Sequence, residues 1–99
     1  RRLLQIGVTS VQIPRRTVLE HDLLADQALE VVHVAAGGPA ALAGIRTGDV
    51  ITSVHGRITT TADDLYRILA ALPLNQPLVA TILRDANLFE VTIPAEHTT

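Results

Sequence analysis

Ser53 and His55 stand two residues apart, the spacing that sets two strand side chains on one face, and a serine beside an imidazole is the beginning of a nucleophilic centre. No acid is placed to orient that imidazole, and neither Ser10 nor Ser53 sits in the glycine-flanked turn that exposes a hydrolase nucleophile. His21, His33 and His97 are expected on a helix, a strand and a tail, without the paired spacing that gathers a metal ion. Asp63 and Asp64 are adjacent rather than facing, which suits the positive end of a helix and not a paired acid and base. Gly37, Gly38 and Gly44 follow neither nucleotide-binding glycine pattern, and the chain has no lysine for a phosphate loop. The expectation is a fragment with no catalytic apparatus, no metal and no cofactor.

The 99 residues fit one domain with one core, expected over about 3 to 94 with a frayed tail at 95 to 99. Hydrophobic residues make up 47% of the chain, mostly aliphatic, with one Phe, one Tyr and no Trp, so branched side chains must pack that core. All eight cations are Arg, they are scattered, and the net charge is −2; the basic stripe of a nucleic-acid binder is missing. There is no cysteine, hence no disulfide and no thiolate chemistry. No apolar run approaches the roughly 20 residues that span a bilayer, so no direct membrane insertion is expected of this segment. A start on Arg1-Arg2 without Met reads as a domain taken from a longer protein.

The elements that must position any site follow from periodicity. Residues 6 to 11 alternate with period two, as a half-buried strand does, and Pro14 ends them. Arg15 to Leu24 spaces Val18, Leu19, Leu23 and Leu24 as the inner face of a short helix. Leu29 to Val34 is a β-branched strand, and Pro39 to Gly44 is one helical turn with proline first and glycine as its cap. Val50 to Val54 is a strand of irregular alternation, followed by a turn at His55-Gly56-Arg57. Thr60 and Thr61 ahead of Asp63 and Asp64 mark a helix start, and Leu65, Ile68, Leu69 and Leu72 make 62 to 72 the clearest helix. Leu78 to Arg84 and Leu88 to Ile93 are strands joined by Asp85-Ala86-Asn87. About five or six short strands with one long helix predict an α+β fold, a partly open sandwich or barrel closed on one side by that helix.

The string Gly38-Pro39-Ala40-Ala41-Leu42-Ala43-Gly44-Ile45-Arg46-Thr47-Gly48-Asp49-Val50-Ile51 closely resembles the "GSPAAKAGLxxGDVI" core of bacterial PDZ domains, with Gly38 where serine is usual. The likeness continues in order through Val54-His55-Gly56-Arg57, Asp63-Asp64-Leu65, Ile82-Leu83-Arg84-Asp85 and Val91-Thr92-Ile93, nearly the whole chain. Similar cores occur in tail-specific proteases, site-two proteases and secretion components. Leu3-Leu4-Gln5-Ile6 stands where the trypsin-like HtrA/Deg serine proteases carry a "YLGI"-like carboxylate-binding loop, and Ile13-Pro14-Arg15-Arg16 is similar to a stretch in one branch of that family.

The resemblance implies the circularly permuted bacterial topology, with residues 88 to 93 at a sheet edge, and a groove between strand 6 to 11 and helix 62 to 72. It implies a module that takes C-terminal or extended segments of unfolded proteins by strand addition and delivers them to, or regulates, an upstream periplasmic protease domain that would hold the whole catalytic triad. Carried over by position, the amides of Leu3, Leu4, Gln5 and Ile6 would converge on a terminal carboxylate, with Gly7 and Val8 continuing the strand. Leu4, Ile6, Tyr66 and Leu69 would line the pocket for the last ligand side chain, and Ala62 would face the third residue from the ligand end. Leu69 and Ile6 also fit plain core positions, and Arg2 is either a further charge near the carboxylate or a solvated terminus. Gln5 replaces the family's loop glycine, which costs about 1 kcal/mol if φ there is positive. The alternative is an assembly module whose groove is filled within an oligomer.

Overall fold

Two short turns fold the strands back on themselves. His55 and Gly56 take φ of 52° and 73°, and Asp85 and Ala86 take 50° and 65°, so both central residues of each turn are left-handed, the arrangement that matches strand twist in a two-residue hairpin. The computed structural model describes residues 4–95. Its elements are β1 (Ile6–Gln12), α1 (Arg15–Glu20), β2 (Gln27–Val34), α2 (Pro39–Leu42), β3 (Val50–Val54), β4 (Arg57–Ile58), α3 (Ala62–Ala71), β5 (Leu78–Arg84) and β6 (Asn87–Ile93). The tail expected at 95 to 99, His97 included, lies outside the described residues except for Ala95, as do Arg2 and Leu3.

All pairings are antiparallel, in the order β1-β2-β3-β5-β6 with β4 on β3. β5 takes one edge of β3 along Val50–Val54, so β2 and β4 share the other: β2 meets Val50 and Ile51, and β4 meets Ser53 and Val54. That division opens the sheet between β2 and β4. The irregular alternation in β3 has a cause, since the register with β5 slips between Ile51 and Ser53. Ile51 and Thr52 are consequently both buried, and Thr52 Oγ1 donates to the Thr81 carbonyl. Leu29, Val31, Ile51, Val54, Ala80, Ile82, Val91 and Ile93 from the sheet pack with Leu65 and Leu69 of α3 in one aliphatic core.

α3 begins where the sequence sets its signals. Thr61 is the N-cap and accepts from the Asp64 amide, while the Asp64 carboxylate accepts from the amides of Thr60 and Thr61 and from the Thr60 hydroxyl. This capping box satisfies amides that the first helical turn leaves open. The three hydroxyl and amide donors hold the Asp64 carboxyl below its ordinary value, led by the Thr60 and Thr61 backbone bonds. The helix stops at Leu72, whose extended ψ of 125° is what a residue before proline prefers.

The expected helix over Arg15 to Leu24 is shorter and faces differently. α1 stops at Glu20, Asp22 turns left-handed at φ 51°, and no residue of the helix is buried. Leu19 and Leu24, read as inner-face residues, are 65% and 86% exposed. Fewer than two turns of helix cannot hold four apolar positions on one face, and His21 fixes the exit by a 3.0 Å hydrogen bond with the Ala86 carbonyl. The connection between β5 and β6 is also tighter than expected: Asn87 is already paired with Arg84, leaving two residues in the turn.

Candidate functional site

β1 is the end strand of the sheet path, paired with β2 alone among the described residues. The Ala35 amide donates to Gln5 O at 3.0 Å while Ile6 lies opposite Val34. In an antiparallel ladder this makes Ile6 and Val34 a non-hydrogen-bonded pair, so the Ile6 amide and carbonyl point away from β2. The bulge in this pairing places its extra residue, Val32, on β2. β1 therefore keeps its two-residue alternation, and Ile6, Val8 and Ser10 present their main-chain groups to the open edge.

The turn before β1 aims its amides the same way. The Leu4 carbonyl accepts from the Ala40 amide at 3.4 Å, and the Gln5 carbonyl is held by Ala35. In a trans peptide unit the N–H is opposed to the C=O, so tying these two carbonyls to the α2 side turns the Gln5 and Ile6 amides outward together. Gln5 does this at φ 59°, the positive φ that the sequence raised as a condition.

The Gln5 side chain and the Ala35 carbonyl both crowd Gly38. A Cβ built on Gly38 would come within 3.1 Å of both Gln5 Cβ and Oε1, and 3.3 Å of the Ala35 carbonyl. The Gln5 side chain fills the space that serine at position 38 would need.

α3 forms the second wall. Leu4 and Leu69 are each only 4% exposed and belong to the core, while Ile6 and Val8 are half-buried against it. Ala62 is half-buried at the first position of α3, Tyr66 on the same helix is 46% exposed, and Gly7 is half-buried in β1. Ile6, Val8 and Leu69 thus share one apolar surface with Leu4. Leu3 lies outside the described residues. At the far end of the groove Ser10 Oγ donates to the Thr60 carbonyl at 2.7 Å, joining β1 directly to the segment that starts α3.

Sequence reasoning missed that bridge and a second one behind the loop. Arg84 donates Nε to Asp49 Oδ1 at 2.7 Å and Nη2 to Oδ2 at 2.6 Å, and a further Nη2 bond reaches the Gly44 carbonyl. The Arg46 amide adds a bond to Asp49 Oδ2, and the guanidinium lies 5.0 Å from the Phe89 ring centroid. Burial pushes the Asp49 carboxyl up, but the Arg84 and Arg46 hydrogen bonds and both charges outweigh it and hold it below its usual value. The pair ties β3, β5 and the end of α2 together, and α2 in turn holds Leu4. Asp49 and Arg84 both stand in the strings quoted above, and only the strand register brings them together. Ser53 and His55 do not share a strand face, because β3 ends at Val54 and His55 is in the left-handed turn. A cleft of about 190 Å³ between the α1–β2 connection and β3 lies apart from the groove, and its His21 is engaged with Ala86.

An open edge strand with its main-chain groups turned outward and a helix alongside is an arrangement that strand-addition modules use to take extended peptides. A profile of the PDZ domain family matches residues 30–84, more than half of the chain, and the chain belongs to that family. It is 31% identical over 88 residues to a probable periplasmic serine endoprotease DegP-like of Pseudomonas fluorescens, covering 89% of this chain and 18% of that protein. Among solved structures, the HtrA3 PDZ domain bound to a phage-derived ligand (FGRWV) is similar with a TM-score of 0.66 at 24% identity, over 92% of this chain and 83% of that one. The HtrA-type protease AlgW with a decapeptide gives 0.72 at 21% identity, over 93% and 28%. The chain spans less than a fifth of the length of the curated relatives it matches.

Proposed function

We propose that the groove between β1 and α3 takes the C-terminal end of an extended peptide, pairing it with Ile6 and Val8 and meeting its carboxylate at the amides of Gln5 and Ile6. The observation that carries this is the Ile6 backbone, turned away from β2 at an open sheet edge. Leu4, Ile6, Tyr66 and Leu69 bound the apolar end and select an aliphatic terminal residue. Ala62 offers no hydrogen-bonding group, so an apolar residue is preferred two positions before the end. Leu4 and Leu69 are nearly covered in the ligand-free chain, and the terminal side chain enters by displacing them.

Burying that side chain contributes about 1.5 to 3 kcal/mol, and each ladder bond about 0.5 to 1.5 net. Charge-assisted bonds to the carboxylate add about 1.5 to 3 kcal/mol apiece and lost peptide freedom costs several kcal/mol, leaving about −5 to −7 kcal/mol, a dissociation constant of roughly 10 to 200 μM. In a longer protein the module would present extended chains to an attached protease domain; its relatives are named as probable periplasmic serine endoproteases. The test is an NMR titration with a valine-terminated peptide and its amidated form. The free peptide is expected to shift amides of residues 4–10 and 62–69, with binding weakened about tenfold by amidation and several-fold by Tyr66→Ala. Equal binding of both forms would remove the carboxylate from the reading; no shift in those residues would remove the groove.

A further inference from the structure

α3 has a second open flank that the groove beside β1 does not use. Asp64, Arg67, Ile68 and Ala71 recur at the spacing of one helix face, turned away from the side that carries Ala62 and Tyr66. With Arg57 and Ile58 of β4 they line an open hollow of about 370 Å³. A smaller hollow of about 140 Å³ shares Arg57, Ile68 and Ala71 with it and extends to His55 and Leu72. Much of the lining is aliphatic, with Ile68 half-buried and Ile58 38% exposed. Arg57 and Arg67 are exposed, and among the described residues the one ion pair is Asp49–Arg84, so neither guanidinium has a carboxylate partner there. Asp64 is the only acid in the lining, and its carboxylate is already held by the Thr60 and Thr61 donors of the capping box.

We propose that the hollow between β4 and this flank of α3 is a second docking surface, and that its partner is an acidic segment of another protein, with Asp or Glu on either side of an aliphatic residue. Two unpaired guanidinium groups against one engaged carboxylate leave the hollow positive in a chain whose net charge is −2. Each guanidinium can grip a carboxylate through two parallel hydrogen bonds. An exposed ion pair contributes little by itself, so the aliphatic lining decides the rest of the partner. A leucine or valine set between the carboxylates leaves water against Ile58, Ile68 and Ala71. A nucleic-acid strand would stack its bases on aromatic side chains as well as present its phosphates, and the lining holds no aromatic residue. The surface lies apart from the groove beside β1, so one domain can hold a ligand at each.

The probe is the peptide Glu-Glu-Leu-Glu-Glu, acetylated and amidated so that it brings no terminal carboxylate to β1, titrated by NMR beside counterparts with Gln or Lys in place of Glu. The acidic peptide is expected to shift amides of residues 55–58 and 67–72 while leaving 6–10 in place, and to weaken about fivefold between about 20 and 200 mM salt. The Gln peptide should bind about fivefold more weakly, and the Lys peptide should shift nothing. Arg57→Gln with Arg67→Gln should weaken the acidic peptide about tenfold; both side chains are exposed, so the rest of the amide spectrum should stay in place. Arg57→Glu with Arg67→Glu should transfer the preference to the Lys peptide. Unchanged binding in the Gln double variant overturns the proposal, as does a Lys peptide that shifts the same wild-type amides. Equal shifts from an oligothymidylate would assign the face to phosphates and overturn it too, and so would shifts confined to residues 6–10 or none at all. None of these outcomes bears on the reading of the β1 groove, whose own test uses a free valine end.

Discussion

Gln5 holds φ at 59°, a conformation that costs a residue with a Cβ about 1 kcal/mol or more, and its side chain occupies the space over Gly38. The two departures from the family string are one feature, which the sequence offered only as two separate oddities because nothing local links positions 5 and 38. Gln5→Gly is expected to stabilise the fold by about 0.5 kcal/mol, the relief of strain less the added freedom of the unfolded chain. Gly38→Ser alone is expected to destabilise, since the Gln5 side chain must give way. In the double variant the serine Cβ meets only the Ala35 carbonyl, 3.3 Å away, and the cycle should show a coupling of about 1 kcal/mol in urea midpoints. Strict additivity would mean that the two side chains do not contest that volume. Leu69 and Ile6 illustrate the same limit from the other direction: their apolar identity fitted core and groove alike, and they share the apolar surface that joins the core to the proposed pocket.

At the scale of elements, legibility followed how local the determinants are. α3 was readable to within one residue because its cap, its acidic first turn, its apolar spacing and its proline stop all lie inside fourteen or so consecutive residues, and the structure uses each of them. Thr61→Ala removes the cap acceptor and should cost about 1 kcal/mol, measured by chemical denaturation; a change below about 0.3 kcal/mol would show that the Asp64 half of the box carries the turn unaided. α1 was overextended because apolar spacing alone was read over ten residues, while the left-handed Asp22 that ends it depends on the His21 anchor to a distant turn. The β3 irregularity was visible as broken alternation, yet its meaning as a register slip needed the β5 partner. Ala86, at φ 65° in the β5–β6 turn, pays the penalty that glycine would avoid. Ala86→Gly should therefore raise stability by about 0.5 kcal/mol, and a loss would contradict the turn.

For the molecule as a whole, the sheet order could be anticipated only through the family string, since β2 to β3 and β3 to β5 are nonlocal pairings that no single segment encodes. The Asp49–Arg84 pair braces that order, joining the residue before β3, the end of β5 and the turn after α2. Asp49 is 2% exposed, and removing its partner strands a carboxylate in the interior. Arg84→Met should therefore cost about 2 to 3 kcal/mol, below the range for a fully buried pair because 23% of the Arg84 side chain remains exposed. The same pair sets the acid limb of stability. Asp49 and Asp64 both titrate below their ordinary value of 3.8 in the folded chain, so the unfolded state binds protons at a higher pH than the folded state does. Their contribution is fully present above about pH 4 to 5 and is lost as pH falls through the lowered folded values. Urea midpoints measured from pH 6 down to pH 2 should decline mainly below about pH 4. The decline should flatten in an Asp49→Asn, Arg84→Met double variant and flatten further when Asp64→Asn is added, with the double variant also less stable at pH 6. An acid limb of unchanged steepness in the triple variant would show that neither carboxylate is held by the contacts described, and that the brace between β3, β5 and α2 is packing rather than charge.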